Sequence, residues 1–207
     1  MLAQPGIPRH EITAGVLAGG RGRRLGGTDK GLIELAGRPL VAHIVTRLTP
    51  QVGPILVNAN RNLEAYRALG YPVVRDADPD FQGPLAGMAA LLAQATTPWL
   101  VVVPCDGPFL PPDLVERLWA ARLRSHAELA VVHDGIRMQP VHCLLPRKLL
   151  PDLRDFLQAG GRKIDRWYAL HTVATADFSD RAGDFFNINT PSDRERAERR
   201  LEDEQAC

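Results

Sequence analysis

The chain has little from which to build a disulfide framework. Its 207 residues hold three cysteines, Cys105, Cys143 and Cys207, an odd number without a C-x-x-C pair, so neither a cystine-stapled scaffold nor a paired-thiolate metal site is expected. Charge of one sign is also missing, since 25 Lys+Arg stand against 24 Asp+Glu for a formal net charge of +1. Avid nucleic-acid binding needs several concentrated basic contacts that release counterions, and this balance does not point to such a face. Long apolar runs are lacking too. A stretch such as Trp99-Leu-Val-Val-Val-Pro104 falls far short of the ~20 residues that span a bilayer. No signal-peptide pattern opens the chain, and together with the cysteine count this makes a reducing cytoplasm the expected compartment.

Lysine is scarcer still. Lys30, Lys148 and Lys163 face 22 arginines. A lysine retained where the chain otherwise uses arginine suggests a need for a compact, mobile point charge, which a planar guanidinium does not supply. A chance surface lysine is the alternative.

The bulk composition is ordinary, 45% hydrophobic and 24% charged, which excludes a disordered or fibrous chain. A chain of this length buries roughly 70% of the surface its unfolded form exposes, enough for a core without staples. Residues 1–12 hold two prolines and no periodic pattern and are read as a flexible leader. One domain, 13–207, is expected to follow.

Hydrophobic periodicity then alternates between strand and helix. Thr13-Ala-Gly-Val-Leu-Ala18 is a short apolar run that breaks into Gly19-Gly20, as a buried strand does on entering a loop. From Pro39, taken as the first helical residue, Leu40, Ile44, Val45 and Leu48 recur at helical spacing. Strand-like 54–58 and 72–75 flank a helical 63–69, and a helix over 85–95 leads to a buried strand at 99–103 and an amphipathic helix over 111–124. Further on, 129–133 and 141–145 flank Asp134-Gly135, a pair that favours an antiparallel hairpin. Helices over 147–158 and from 191 to about 204 complete the pattern. Such alternation implies an α/β fold with a mostly parallel, mixed sheet covered by helices on both faces.

Five segments carry chemistry. The first runs from Leu17 to Lys30, a glycine- and arginine-rich loop directly after the first strand. Glycine lets backbone N–H groups close on an anion, arginine adds bidentate phosphate donors, and in open α/β sheets such loops lie at the carboxyl ends of strands, where ligands bind. The segment lacks the third glycine of G-x-G-x-x-G and the G-K-[ST] of a P-loop, so dinucleotide oxidoreductases and P-loop ATPases lose weight. A flexible, solvated arginine loop is the alternative. The second segment places Asp106 at the end of the 99–103 strand, and Asp76 ends another. Strand-end carboxylates suit Mg²⁺, which takes hard oxygen ligands and is commonly shared with substrate phosphates, although turn capping explains either one alone.

The third segment, Asn58-Ala-Asn60-Arg61, presents amides to a base or ribose, or merely forms a turn. The fourth, Gly83-Pro-Leu-Ala-Gly87, is a tight helix entry whose amides suit an anion, though close packing explains Gly87 equally well. The fifth, Phe185 to Asp193, reads as a short strand with Thr190 as N-cap and Pro191 opening the helix. Capping leaves Asn187 and Asn189, alternate residues on one face, unexplained. His133 and His142 do not match a metal-ligand spacing, and Cys105 has no activating base in sequence. The Arg194 to Arg200 cluster alternates with Glu195, Glu198 and Glu202 at helical separations, which reads as intrahelical pairing, a partner surface being the alternative.

Taken in order, Leu17-Ala-Gly-Gly with Arg24 and Asp29-Lys-Gly31, Val57-Asn-Ala-Asn-Arg61, Gly83-Pro-Leu-Ala-Gly-Met88, Pro104-Cys-Asp106 and Asn187-Ile-Asn-Thr-Pro191 closely resemble molybdenum cofactor guanylyltransferases. The resemblance implies a Rossmann-like, three-layer nucleotidyltransferase fold. It also implies transfer of GMP from GTP to the terminal phosphate of molybdenum-bearing molybdopterin, with release of pyrophosphate and a requirement for Mg²⁺. Carried over by residue, it implies that Leu17, Ala18, Gly19, Asn58 and Asp76 bind GTP, that Lys30 and Arg24 face its phosphates, that Asp106 holds Mg²⁺, and that Asn187 and Asn189 lie on the pterin side. Gly22 and Leu25 depart from the residues common at those positions, without loss of a charged or chelating group. The sister cytidylyltransferase, which usually begins this loop Pro-Ala-Ala-Gly, and a noncatalytic cofactor carrier are the rivals. A cytoplasmic monomer is expected, with GTP and the molybdenum-pterin as partners, transient contacts to upstream cofactor proteins and recipient molybdoenzymes, and no nucleic acid or membrane.

Overall fold

The computed structural model describes residues 6, 8–18, 29–77 and 83–206. After a 3₁₀ turn at Arg9–Glu11 the chain forms β1 (Ile12–Leu17) and, past a second 3₁₀ turn at Lys30–Leu32, a small hairpin of β2 (Glu34–Leu35) and β3 (Arg38–Pro39). There follow α1 (Leu40–Leu48), β4 (Ile55–Asn58), α2 (Leu63–Ala68), β5 (Val73–Val74), α3 (Pro84–Gln94), β6 (Trp99–Pro104) and α4 (Leu114–Arg124). The remainder is β7 (Leu129–His133), β8 (Met138–Pro146), α5 (Leu150–Gln158), α6 (Ile164–Tyr168), β9 (Val173–Asp177) and α7 (Pro191–Ala206).

Among the described residues, seven strands make one sheet in the order β5-β4-β1-β6-β8-β7-β9. β5, β4, β1 and β6 pair in parallel, as do β7 and β9, while β8 is antiparallel to both of its neighbours. The mixed, mostly parallel sheet is thus as expected, with the reversal at the hairpin that Asp134-Gly135 announces. Alternation along each strand feeds two layers. Ile12, Ala14, Val16, Val101 and Val103 pack with Ile44 and Leu48 of α1 and Leu114 and Leu118 of α4. Leu100 and Val102 point the other way, against Leu85, Met88 and Leu91 of α3, Leu153 of α5 and Trp167 of α6. Gly15 faces this second layer, and a Cβ there would lie 2.5 Å from Leu91 Cδ1, so α3 comes this close only to a glycine. A third cluster, with Leu35, Leu40, Phe109, Ile188 and Leu201, binds α7 and the β2–β3 hairpin to the body.

Several boundaries differ from the sequence reading. Ile12, assigned to the leader, is fully buried at the start of β1. Pro39 caps α1 from the end of β3 instead of opening the helix, since its ψ of 145° is extended, not helical. α4 begins at Leu114, three residues after Pro111, and the expected helix from 147 starts as a 3₁₀ turn, Arg147–Leu149, before α5. The segment at 186–189 joins no sheet, although Phe186 opens it in an extended conformation. β9 has no counterpart in the reading, because its inward residues are alanines, Ala174 and Ala176, which carry too little apolar contrast against Thr175 and Asp177.

Candidate active site

Four strand ends stand abreast at one edge of the sheet. The register sets Leu17 beside both Asn58 and Pro104, and Asn58 beside Val74. From β1 the chain passes to β4 and β5 on one side and then, through α3, to β6 on the other. The carboxyl end of β1 is therefore where strand order reverses, the crevice in which open α/β sheets bind ligands. Backbone bonds close the row: Ala18 N donates to Asn58 O at 2.8 Å and Cys105 N to Leu17 O at 3.0 Å.

On the β6 side the chain delivers Asp106 two residues past the strand end. Lys30, returning from a distant segment, donates to Asp106 Oδ2 at 2.9 Å and to Asn189 Oδ1 at 2.5 Å. The segment bearing Asn189 is tied in by its own backbone, with Ile188 N donating to Asp106 O at 2.8 Å. Ile188, between the two asparagines, is buried in the third cluster. Asn189 and Thr190 N–H groups both bond Asp193 Oδ2, at 3.1 and 2.9 Å, and Asp193 N bonds Thr190 Oγ1 at 3.1 Å. This reciprocal cap confirms Thr190 as the N-cap and holds α7 against the site. Asn187 Oδ1 is buried and, among the described residues, accepts no hydrogen bond. It lies 3.1 Å from where a Cβ on Gly107 would sit, a tight approach that a side chain there would have to push back by a few tenths of an ångström.

On the β4 side a second polar group forms. Asn58, buried at the strand end, donates to Asp76 Oδ1 at 2.8 Å and to Val74 O at 3.2 Å. Asn60 holds the same aspartate from both ends: its Nδ2 donates to Asp76 Oδ2 at 2.8 Å, and its Oδ1 accepts from Asp76 N at 2.9 Å. Sequence reasoning named Asn60 as an amide near a base or ribose. The structure instead shows it clamping the carboxylate that its neighbour also orients. Gly87, on the buried face of α3, sits against this group, where a Cβ would meet Asn58 Oδ1 at 2.4 Å and Leu17 Cδ2 at 2.6 Å. Close packing thus accounts for Gly87, and what it packs against is site side chains. Gly83 caps α3 at φ 123°, a conformation glycine alone adopts readily.

Leu17, Ala18, Lys30, Asn58, Asp76, Asp106, Asn187 and Asn189 thus lie at or next to this one edge. Gly19, Arg24, Gly22 and Leu25 lie outside the described residues. A divalent cation has a reasonable partner in Asp106. Among the described residues no three His, Cys, Asp or Glu side chains gather around a metal position, and the Asp106 side chain is partly exposed. One accessible hard carboxylate fits an ion that completes its shell with water and substrate phosphates, not a closed structural site. Cys105 is buried just past the end of β6. Burial, then the nearby Asp106 and Asp29 carboxylates, push its thiol well above the ordinary range. His142 is buried against the Phe185 ring, and burial lowers its pKa to about 3, a neutral core residue as its sequence context indicated.

The model of the MobA-like NTP transferase domain matches residues 14–173. A molybdenum cofactor guanylyltransferase of Cupriavidus pinatubonensis is 54% identical over 189 residues, covering 89% of this chain and 94% of its own. One from Shewanella sediminis is 50% identical over 185 residues with the same coverage. Among solved structures, molybdopterin-guanine dinucleotide biosynthesis protein A from Archaeoglobus fulgidus superposes with a TM-score of 0.76 at 23% identity, over 92% of this chain and 99% of its own. A CMP:2-keto-3-deoxy-manno-octonic acid synthetase complexed with CTP reaches 0.69 at 13% identity, over 95% and 100%. At such identities the two structures share the fold.

Proposed function

The chain belongs to the MobA-like NTP transferase family, and on that footing we propose that it is a molybdenum cofactor guanylyltransferase. It transfers GMP from GTP to the terminal phosphate of molybdenum-bearing molybdopterin and releases pyrophosphate. The observation that carries the reading is the meeting of Lys30, Asp106 and Asn189, far apart in sequence, at the crevice beside β1.

The roles follow from charge. A phosphate oxygen of the pterin attacks the α-phosphorus of GTP with pyrophosphate leaving in line, so two anions must be brought together and electrostatics forms the main barrier. The ammonium of Lys30 lowers that barrier by tracking charge on the α-phosphate and the leaving group, with Arg24 assisting. Leu17, Ala18 and Gly19 line the nucleotide, and Asn58 and Asp76 hold it by hydrogen bonds at the β4 edge. Asn187 and Asn189 serve the pterin side, where the buried Asn187 Oδ1 offers an unmet acceptor. Family members use a divalent metal, and we assign Mg²⁺ to Asp106. When bound it supplies Lewis-acid stabilisation of the phosphates. No protein nucleophile or general base is needed, because a phosphate is already ionised at neutral pH.

A cytoplasmic monomer with transient contacts to upstream cofactor proteins and recipient molybdoenzymes completes the reading. Among the described residues, no helix is long and apolar enough to cross a membrane. The test is pyrophosphate release with molybdenum-loaded molybdopterin and Mg²⁺, comparing GTP, CTP and ATP. Selective release with GTP is expected, a preference for CTP overturns the base assignment, and no release with any nucleotide leaves a carrier.

A further inference from the structure

We propose that Tyr66 is a positioning residue for the transfer, acting through the carboxylate of Asp29 to fix the turn that bears Lys30. The proposal rests on Lys30 facing the nucleotide phosphates. Tyr66 is fully buried on the inward face of α2, and its hydroxyl donates to Asp29 Oδ1 at 2.6 Å. Asn62 Nδ2 donates to Asp29 Oδ2 at 3.1 Å, and Arg61 Nε stands 3.7 Å from the same oxygen. Three side chains from the β4–α2 segment thus converge on one aspartate, the residue immediately before the lysine.

The turn itself is weakly held. Leu32 N donates to Asp29 O and Ile33 N to Lys30 O, each at 3.1 Å, short-range bonds whose geometry is poorer than that of an α-helix. A lysine side chain has four methylenes and much rotamer freedom, so its ammonium is placed reproducibly only when its root is fixed. Burying an ionised carboxylate is costly unless it is paired, and the Asp29 side chain is 3% exposed. That cost is met by donors which tie the turn to α2. Gly31 is part of the same fit, because a Cβ there would lie 2.5 Å from the Tyr66 hydroxyl. Burial, followed by the bond to Asp29, pushes the phenol well above its ordinary range, so it stays a donor at any working pH.

The test is a double-mutant cycle read by calorimetric GTP affinity with Mg²⁺ and by pyrophosphate-release kinetics. In the wild-type background Tyr66→Phe, which keeps the ring, is expected to weaken GTP binding and lower kcat by about ten-fold together, and by less than two-fold in a Lys30→Gln background. A role confined to folding would lower both backgrounds by equal factors, and that result overturns the proposal, as does an unchanged Tyr66→Phe enzyme. Gly31→Ala, whose methyl would crowd the hydroxyl at 2.5 Å, repeats the cycle if Tyr66→Phe does not fold. A wild-type protein that neither binds GTP nor releases pyrophosphate would instead remove the functional reading on which the proposal stands.

Discussion

Lys30 Nζ lies 2.9 Å from Asp106 Oδ2, so an ammonium and a carboxylate neutralise each other at the crevice beside β1. On the roles proposed above, a triphosphate that draws the ammonium towards itself would uncover the carboxylate for a divalent ion and couple the two binding events. Both side chains are partly exposed, 25% and 19%, and such a pair contributes about 1 kcal/mol or less to stability. Asp106→Asn and Lys30→Gln are therefore expected to leave the melting temperature nearly unchanged while cutting kcat by roughly 10²–10³-fold. Pyrophosphate release titrated with Mg²⁺ checks this; an Asp106→Asn enzyme with wild-type Mg²⁺ dependence would falsify the metal assignment.

Gly87→Ala is a test of the β4 edge. The new methyl would stand 2.4 Å from Asn58 Oδ1 and 2.6 Å from Leu17 Cδ2, and overpacking of this kind costs about 1–3 kcal/mol. Because the displaced atoms belong to residues proposed to hold the nucleotide, KM for GTP should rise more than kcat falls. Denaturant unfolding and steady-state kinetics together read the two effects, and a stability loss with an unchanged KM would show that Gly87 serves packing alone.

Asn60 is exposed yet makes two hydrogen bonds to Asp76. Asn60→Ala should therefore spare stability and weaken GTP binding several-fold, since Asp76 keeps one side-chain partner in Asn58. Calorimetric titration with GTP is the direct measurement. An affinity equal to wild type would mean that the clamp does not set the position of Asp76 for the nucleotide.

The buried His142 predicts a pH effect on stability. Burial depresses its folded pKa to about 3 from the ordinary 6.5, so in that interval the unfolded chain takes up a proton that the folded chain refuses. Stability should fall as pH drops from about 6.5 towards 3, with a slope of at most about 1.4 kcal/mol per pH unit from this residue. Its Nε2 has no hydrogen-bond partner among the described residues, so His142→Leu removes an unsatisfied polar atom and should be neutral or stabilising. Unfolding free energies of the two proteins across pH 4–7 should converge at the upper end and separate at the lower. Parallel profiles would place the titrating group elsewhere.

Much of the fold was legible because period-two and helical patterns are strong where residues are large and apolar. The runs at Thr13 to Ala18, Trp99 to Val103 and Leu129 to His133 became β1, β6 and β7 with each end within one residue of the expected bounds. The β2–β3 hairpin and β9 were not legible, the first because two-residue strands have no period to detect, the second because alanine gives weak contrast. The arginine-rich α7 shows the mixed case. Arg194 pairs with Glu198 and Arg200 with Glu204 within the helix, as spacing indicated. Arg200 also donates to Gly183 O at 2.7 Å and lies 4.0 Å over the Phe109 ring, contacts to distant chain that no spacing announces.

The sequence by itself determined the α/β class, the parallel sheet with its hairpin reversal, and the residue types at the strand ends, since these depend on local periodicity, turn chemistry and the order of short motifs. Only the tertiary structure decided which of those residues meet. Lys30 reaches Asp106 and Asn189 across 76 and 159 positions, Asn60 grips Asp76, and Tyr66 props Asp29 from beneath. Such contacts arise where strand order reverses and separate chain segments converge, and the distance between them is set by packing of the layers, which no local pattern encodes.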